Sequence, residues 1–408
     1  MNPSKKTLNK ENLAGVIFLL FFPGFFVYSY AVAEGYVSTV PGGWFGRLGV
    51  ASALCLLPTA FPALFRSTSI GRKFHIFFLV LLLLIAAWAS IYYLYGSTLY
   101  QRSPTAFVAS LKIIVLWFVL FFVGYFFSPR RWFINLLWLS FFLMIIIVLT
   151  KFDTRRMMFY AIQQFGVSEG VASYQGFARS FAVPAIILLT LSRRVSAQAM
   201  LVLASVLTLY LLGARSEFYG FLFVLLIAGW LVMLRSHWAG TMMFFSVFVL
   251  FIILFLTIQG SEYSNRQLEV LQLSKSSAIY ARTHLLSRGW EFIKSSPIVG
   301  DYAGQMREGG FGSYIHNGLS AWRQFGLAGF SLYFGLAIFS LYFPIKKIVF
   351  QGDNTAEWRM ALYMNSYVFL LMIAAKSVFD MMAPFAWGLS ASALNKHLNM
   401  QKHTLQSS

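Results

Sequence analysis

The chain has 408 residues, 59% of them hydrophobic, 18% aromatic and only 11% charged. A soluble protein of that length cannot hide so much apolar surface, so the composition specifies an all-α polytopic membrane protein. The net charge of +19 falls in short loops between apolar runs, with no basic stripe interleaved with aromatics on a polar domain. That pattern excludes nucleic acid as the partner and favours an anionic, membrane-borne one.

In chain order, residues 1–12 (MNPSKKTLNKEN) read as a cytoplasmic N-terminus. The apolar run behind them is long and lacks a small-residue cleavage site, so it is expected to stay as the first span. About 20 apolar residues cross the hydrocarbon. On that measure there are about twelve spans, near 13–33, 46–65, 74–95, 106–127, 132–150, 177–192, 197–213, 217–234, 240–259, 321–343, 358–375 and 377–394. The last two are separated only by a polar point around Lys376. One integral-membrane domain over 1–408 is expected, with outer loops at 151–176 and 260–320 and a cytoplasmic tail at 395–408. Cys55, the single cysteine, lies inside an apolar run, which excludes disulfides and cysteine-built metal sites within one chain.

With the N-terminus inside, the inner loops carry Arg66/Arg72/Lys73, Arg130/Arg131, Arg193/Arg194, Arg235 and Lys346/Lys347/Arg359. The first outer loop, AEGYVSTVPGG, has no Lys or Arg, as the positive-inside rule asks. A surplus of cations remains outside or in the outer halves of spans: Arg102, Lys112, Lys151, Arg155, Arg156, Arg179, Arg215 and Lys376. Topology does not require them, and cations at membrane depth usually face a polar cavity. Guanidinium forks bind phosphate oxygens in pairs, so an outward cavity lined by arginine suggests a phosphate-bearing ligand.

The polar interval 260–320 carries the sharpest candidate, His316, in Ser313-Tyr314-Ile315-His316-Asn317. It stands where the loop returns to the membrane. A neutral imidazole there can take a proton from a sugar hydroxyl near neutral pH. The plainer alternative is a polar helix start, with Asn317 as the cap. Arg215 sits in a tight outer turn, Gly213-Ala214-Arg215-Ser216-Glu217, with Glu217 placed to orient it or Arg215 serving topology alone. Arg282 and Arg288 lie on an amphipathic helix expected from Tyr280 to Lys294 and lying on the membrane, its apolar face Leu285, Leu286, Trp290 and Ile293, ended by Pro297 and Gly300. Both arginines can equally snorkel at the interface. Arg179 opens a span in YQGFARSFAVP. Lys376 and Asp380, at i, i+4, read as a site lysine or as a simple charge pair. No carboxylate pair, Gly-rich phosphate loop, nucleophile elbow or His-Glu-x-x-His appears, so neither a metal nor a cofactor is expected.

Taken in order, the arginine turn GARSEF, Arg282 about fifteen residues before Ser-Pro-x-x-Gly, and His-Asn-x-Leu followed by Gln-Phe-Gly-Leu-x-Gly-Phe resemble the O-antigen ligase and O-antigen polymerase superfamily. The resemblance is strongest over 175–335. It implies a metal-independent, inverting glycosyltransferase of GT-C-like architecture in a Gram-negative inner membrane. The implied donor is glycan on undecaprenyl pyrophosphate. The implied acceptor is either the next lipid-linked repeat unit (polymerase) or lipid A–core (ligase), and the phrase Gly-Ser-Tyr-Ile-His-Asn-Gly-Leu-Ser inclines the reading to polymerase. Membrane lipids and a chain-length regulator are further implied partners. The resemblance assigns catalysis to His316, Arg215 and Arg282, and pyrophosphate binding to Arg179. Arg288, Lys376, Asn317 and Glu217 complete the expected substrate-binding set. A lipid-linked oligosaccharide flippase is the reading from another class; the near absence of charge in the inner halves of the spans speaks against it.

Overall fold

The computed structural model describes residues 9–40, 43–66, 69–153, 158–159, 174–192, 194–234, 277–308 and 313–407. Eight of the described helical stretches are long and apolar enough to cross a membrane: Lys10–Ala33, Trp44–Phe65, Ile70–Tyr95, Pro104–Phe126, Arg131–Thr150, Tyr174–Leu191, Arg215–Met233 and Leu319–Phe350. Each falls on an expected run. Val195–Leu211 is shorter but apolar, and Ala356–Ala374 and Met382–Ser407 are helical where the last two spans are expected. The run 240–259 lies outside the described residues, as do most of the 151–176 loop and residues 260–276.

Numbered in chain order, the helices are α1 (Lys10–Phe21), α2 (Pro23–Ala33), α3 (Trp44–Arg66), α4 (Ser69–Tyr95), α5 (Pro104–Phe126), α6 (Arg131–Thr150), α7 (Tyr174–Leu191), α8 (Val195–Leu211), α9 (Arg215–Met233), α10 (Ser277–Ser295), α11 (Leu319–Ile345), α12 (Ala356–Ala374) and α13 (Met382–Ser407). Proline marks several starts. Pro23 follows the break at Phe22 that separates α1 from α2, and Pro104 opens α5. At a first helical turn its missing N–H costs nothing and its φ is already helical. A short antiparallel pair, Phe152–Asp153 with Met158–Phe159, follows α6.

The chain divides into two compact units, residues 1–18, 44–130 and 282–408 in one and 19–43 and 131–281 in the other. The first is centred on α5 crossing α13. Gly124 and Gly388 meet at that crossing: a Cβ on Gly124 would strike the Phe385 carbonyl, and one on Gly388 the Phe121 carbonyl. Small residues let helix backbones touch where lipid offers no hydrophobic drive. Around the crossing, Trp117, Tyr333 and Trp387 interlock with ring centroids 5.6–6.0 Å apart. Asn365 pins three helices by donating to Ala361 and Ala386 carbonyls and to Ser390 Oγ, which donates to Ser340 O.

Contacts between loops and helix ends tie this unit together. Tyr92 and Trp88 donate to Gly300 and Val299 carbonyls, and the Gly318 amide donates to Met372 O. Arg130 pairs with Glu11 at 2.9 Å, and Lys347 and Asp353 reach His397. In the second unit α7 packs against α2, α6, α8 and α9, with Phe26 on Phe177 and Phe141 on Phe181.

Candidate functional site

His316 lies one turn before α11, half-buried, its ring 4.5 Å from that of Tyr314. Its neighbours come from three directions. Burial first, then the charges of Arg282 on α10 and Lys376 on the α12–α13 connection, push its imidazole down to about 4. It is thus neutral throughout the physiological range, but a weaker base than the ordinary histidine the sequence suggests. Asn317 is occupied in starting the helix: its Oδ1 accepts the Leu319 amide at 3.0 Å. That bond matches the capping role the sequence also offered and follows from the preference of Asn for the turn before a helix.

Helix α10 runs over the stretch expected to be amphipathic and stops at Ser295, with Gly300 turning the chain at φ +83°. Of the apolar face expected to lie on the membrane, only part packs into the protein. Gly289 and Ile293 are buried, whereas Leu286 and Trp290 are 37% and 40% exposed. A Cβ on Gly289 would strike the side chain of Ile315, the residue before His316. Arg282, Gly289 and Ile293 are spaced i, i+7, i+11 and so share one stripe. Arg282 belongs to the face that meets the histidine segment. Arg288 is one residue off that stripe, and both arginines are exposed.

Lys376 and Asp380 are each 7% exposed, in a connection of turns rather than a helix. Their i, i+4 spacing therefore does not place them on one face of a helix. The connection is anchored under the histidine by the Val378 amide on Ser320 Oγ at 2.6 Å and the Gly318 amide on Met372 O at 2.6 Å. His316, Arg282 and Lys376 are thereby brought together in one unit.

Arg179, Arg215 and Glu217 belong to the other unit. Arg215 is the first residue of α9, after Gly213 turns the chain at φ +73°. Glu217 is fully buried in the first turn of that helix, where a carboxylate suits the dipole, and accepts the Ser216 hydroxyl at 2.6 Å. Arg179 is partly buried on the second turn of α7, which packs on α9.

Several of the surplus cations have partners within the protein. Lys151 donates to Glu34 at 3.0 Å and lies over the Tyr30 ring. Arg102 donates to the Gly96 carbonyl, closing its own loop. Lys112 is exposed, and Arg155 and Arg156 lie outside the described residues.

The sequence reading missed Arg323, which is 2% exposed at the start of α11. Its guanidinium carbon lies 4.7 Å from the Phe292 ring centre and its Nη2 lies 3.8 Å from Asp301 Oδ2. Arg307 takes the same carboxylate oxygen at 2.6 Å. A signal was present: an arginine seven residues beyond His316, inside an apolar run, needs a buried partner.

No family model matches the chain, and no curated protein matches it.

Proposed function

We propose that the chain is a membrane glycosyltransferase of the O-antigen polymerase/ligase type, moving glycan from undecaprenyl pyrophosphate to an acceptor hydroxyl. The observation that carries the reading is His316, held neutral beside Arg282 and Lys376. Two cations next to a neutral imidazole suit a reaction with a diphosphate leaving group and a hydroxyl nucleophile.

In this reaction the acceptor oxygen attacks the anomeric carbon and its proton passes to the His316 imidazole. The bond from that carbon to pyrophosphate breaks on the opposite side, inverting the centre, and pyrophosphate departs with the electron pair. Arg282 and Lys376 stabilise the charge that develops on it. A bound diphosphate also offsets their field on His316, which raises its basicity when the proton must be taken. Arg215 and Arg179, in the other unit, are assigned to phosphate binding by the family resemblance alone, through the paired contacts a guanidinium makes. The proposed setting is a Gram-negative inner membrane, both termini cytoplasmic and His316 periplasmic.

The test is purified protein with synthetic lipid-pyrophosphate donor and acceptor, without an energy source. Wild type should form glycosidic product. His316→Ala, still folded, should lose roughly 100- to 10,000-fold in turnover. Arg215→Lys should lose about 1.5–3 kcal/mol of stabilisation, the usual worth of a hydrogen bond to a charged group. No product from wild type, or full activity in His316→Ala, would refute the assignment. The acceptor is read from the lipopolysaccharide of a deletion strain. Core capped by a single repeat identifies a polymerase, the reading favoured here. Bare core with lipid-linked polymer accumulating identifies a ligase.

A further inference from the structure

We propose that Arg323 is a positioning residue: stacked on Phe292 and paired with Asp301, it fixes α10, and with it Arg282, in register against His316. The inference deepens the proposed function and rests on it for the meaning of His316, but its geometry stands independently.

Three segments converge on Arg323. Its guanidinium covers Phe292 of α10, ten residues beyond Arg282. Its charged group reaches the Asp301 carboxylate. Its backbone carbonyl accepts the Asp301 amide at 2.5 Å.

That last bond exists because α11 is broken about two turns after its start at Leu319. Gly326 has φ +64°, outside the helical region. A continuous helix would pair the Arg323 carbonyl with the Leu327 amide. Instead the Leu327 amide donates to Pro297 O at 3.1 Å and Ile298 O at 3.2 Å, and the freed carbonyl turns to Asp301. The loop that follows α10 is thus stitched into the break in α11. Glycine at both crossing points allows it, since a Cβ on Gly300 would lie 2.5 Å from the Gly326 nitrogen. Gln324 adds a further tie, its Oε1 accepting the amide of Ala303, a residue held at φ +57°.

A buried arginine–carboxylate pair is a poor source of stability compared with apolar packing. What it supplies is direction: a planar cation above one ring and beside one carboxylate has few equivalent placements. Phe292 lies three residues from Gly289, which contacts Ile315 beside His316. A shift of α10 would therefore alter the surroundings of His316. The charged and titratable groups facing that imidazole are Arg282 from α10, Lys376 from the α12–α13 connection and Tyr314 from its own segment.

The experiment uses the full-length protein in lipid nanodiscs, with Arg323→Met, which removes the charge and keeps the bulk, and Asp301→Asn, a milder cut of the same link. Hydrogen–deuterium exchange should accelerate at least ten-fold over residues 285–295 in both variants, with the α5 and α13 peptides unchanged as the control for folding. Nitrogen-15 histidine resonances, assigned with His316→Gln, should show the His316 midpoint rising from about 4 toward the ordinary 6.5. The acid limb of glycan transfer should move with it, and Arg323→Lys should restore it only in part. Unchanged exchange and an unchanged His316 midpoint in both variants would overturn the proposal, whatever transfer does. Faster exchange and a raised midpoint in a protein that transfers no glycan would uphold the positioning role and reject the glycosyltransferase reading instead.

Discussion

His316 is the residue on which the chemistry turns, and its environment makes a prediction opposite to that of an ordinary histidine. Burial, Arg282 and Lys376 all disfavour its charged form, so the base is ready well below neutral pH. The sign follows: turnover needs the neutral ring, so kcat/KM should fall on the acid side with a midpoint near 4, and not near the ordinary 6.5. In kcat, measured with donor bound, that midpoint should lie higher, because the diphosphate offsets both cations. A pH–rate series on purified protein checks both limbs. At this scale the sequence made His316 and Arg282 visible, since glycine, histidine and arginine stand out in so apolar a chain. Asn317 could not be separated from a helix-starting residue without the backbone. For Arg323 the apolar run gave a signal, but its partners, Phe292 and Asp301, were hidden because they are distant in sequence.

Among the elements, α10 shows what periodicity does and does not reveal. Its existence and its end were legible from Pro297 and Gly300. Its contact with the histidine segment was not, because that contact is made by a glycine, Gly289, which no hydropathy pattern registers. The same lesson holds for the α5–α13 crossing, where Gly124 and Gly388 are too small to register in any hydropathy pattern yet set how closely two helices approach. Gly124→Leu or Gly388→Val should cost about 1–3 kcal/mol by overpacking. Gly326→Ala should cost about 1–3 kcal/mol for its glycine-only backbone, φ +64° and ψ −168°, besides a collision with the Ile298 carbonyl. Thermal unfolding followed by tryptophan fluorescence should rank all three below wild type. A Gly124 or Gly388 variant as stable as wild type would mean the crossing is looser than described.

For the whole molecule, composition and the lengths of apolar runs were enough to read a multi-pass helical membrane protein, because the cost of exposing apolar surface leaves little alternative. Sidedness rests on the placement of Lys and Arg. It predicts that, after Cys55→Ser removes the lone thiol, Ser287→Cys on exposed α10 reacts with a membrane-impermeant maleimide added outside intact spheroplasts. Labelling only after lysis would invert the orientation. The division into two units had no legible counterpart, since each is assembled from segments distant in the chain. The most direct test of the central claim is the titration of His316 in the purified protein, followed by nitrogen-15 resonance with and without a short-chain prenyl pyrophosphate. A midpoint near 4 that climbs when the pyrophosphate binds is the predicted result. An ordinary midpoint that ignores the pyrophosphate would contradict the claim that Arg282 and Lys376 make this histidine part of a diphosphate site.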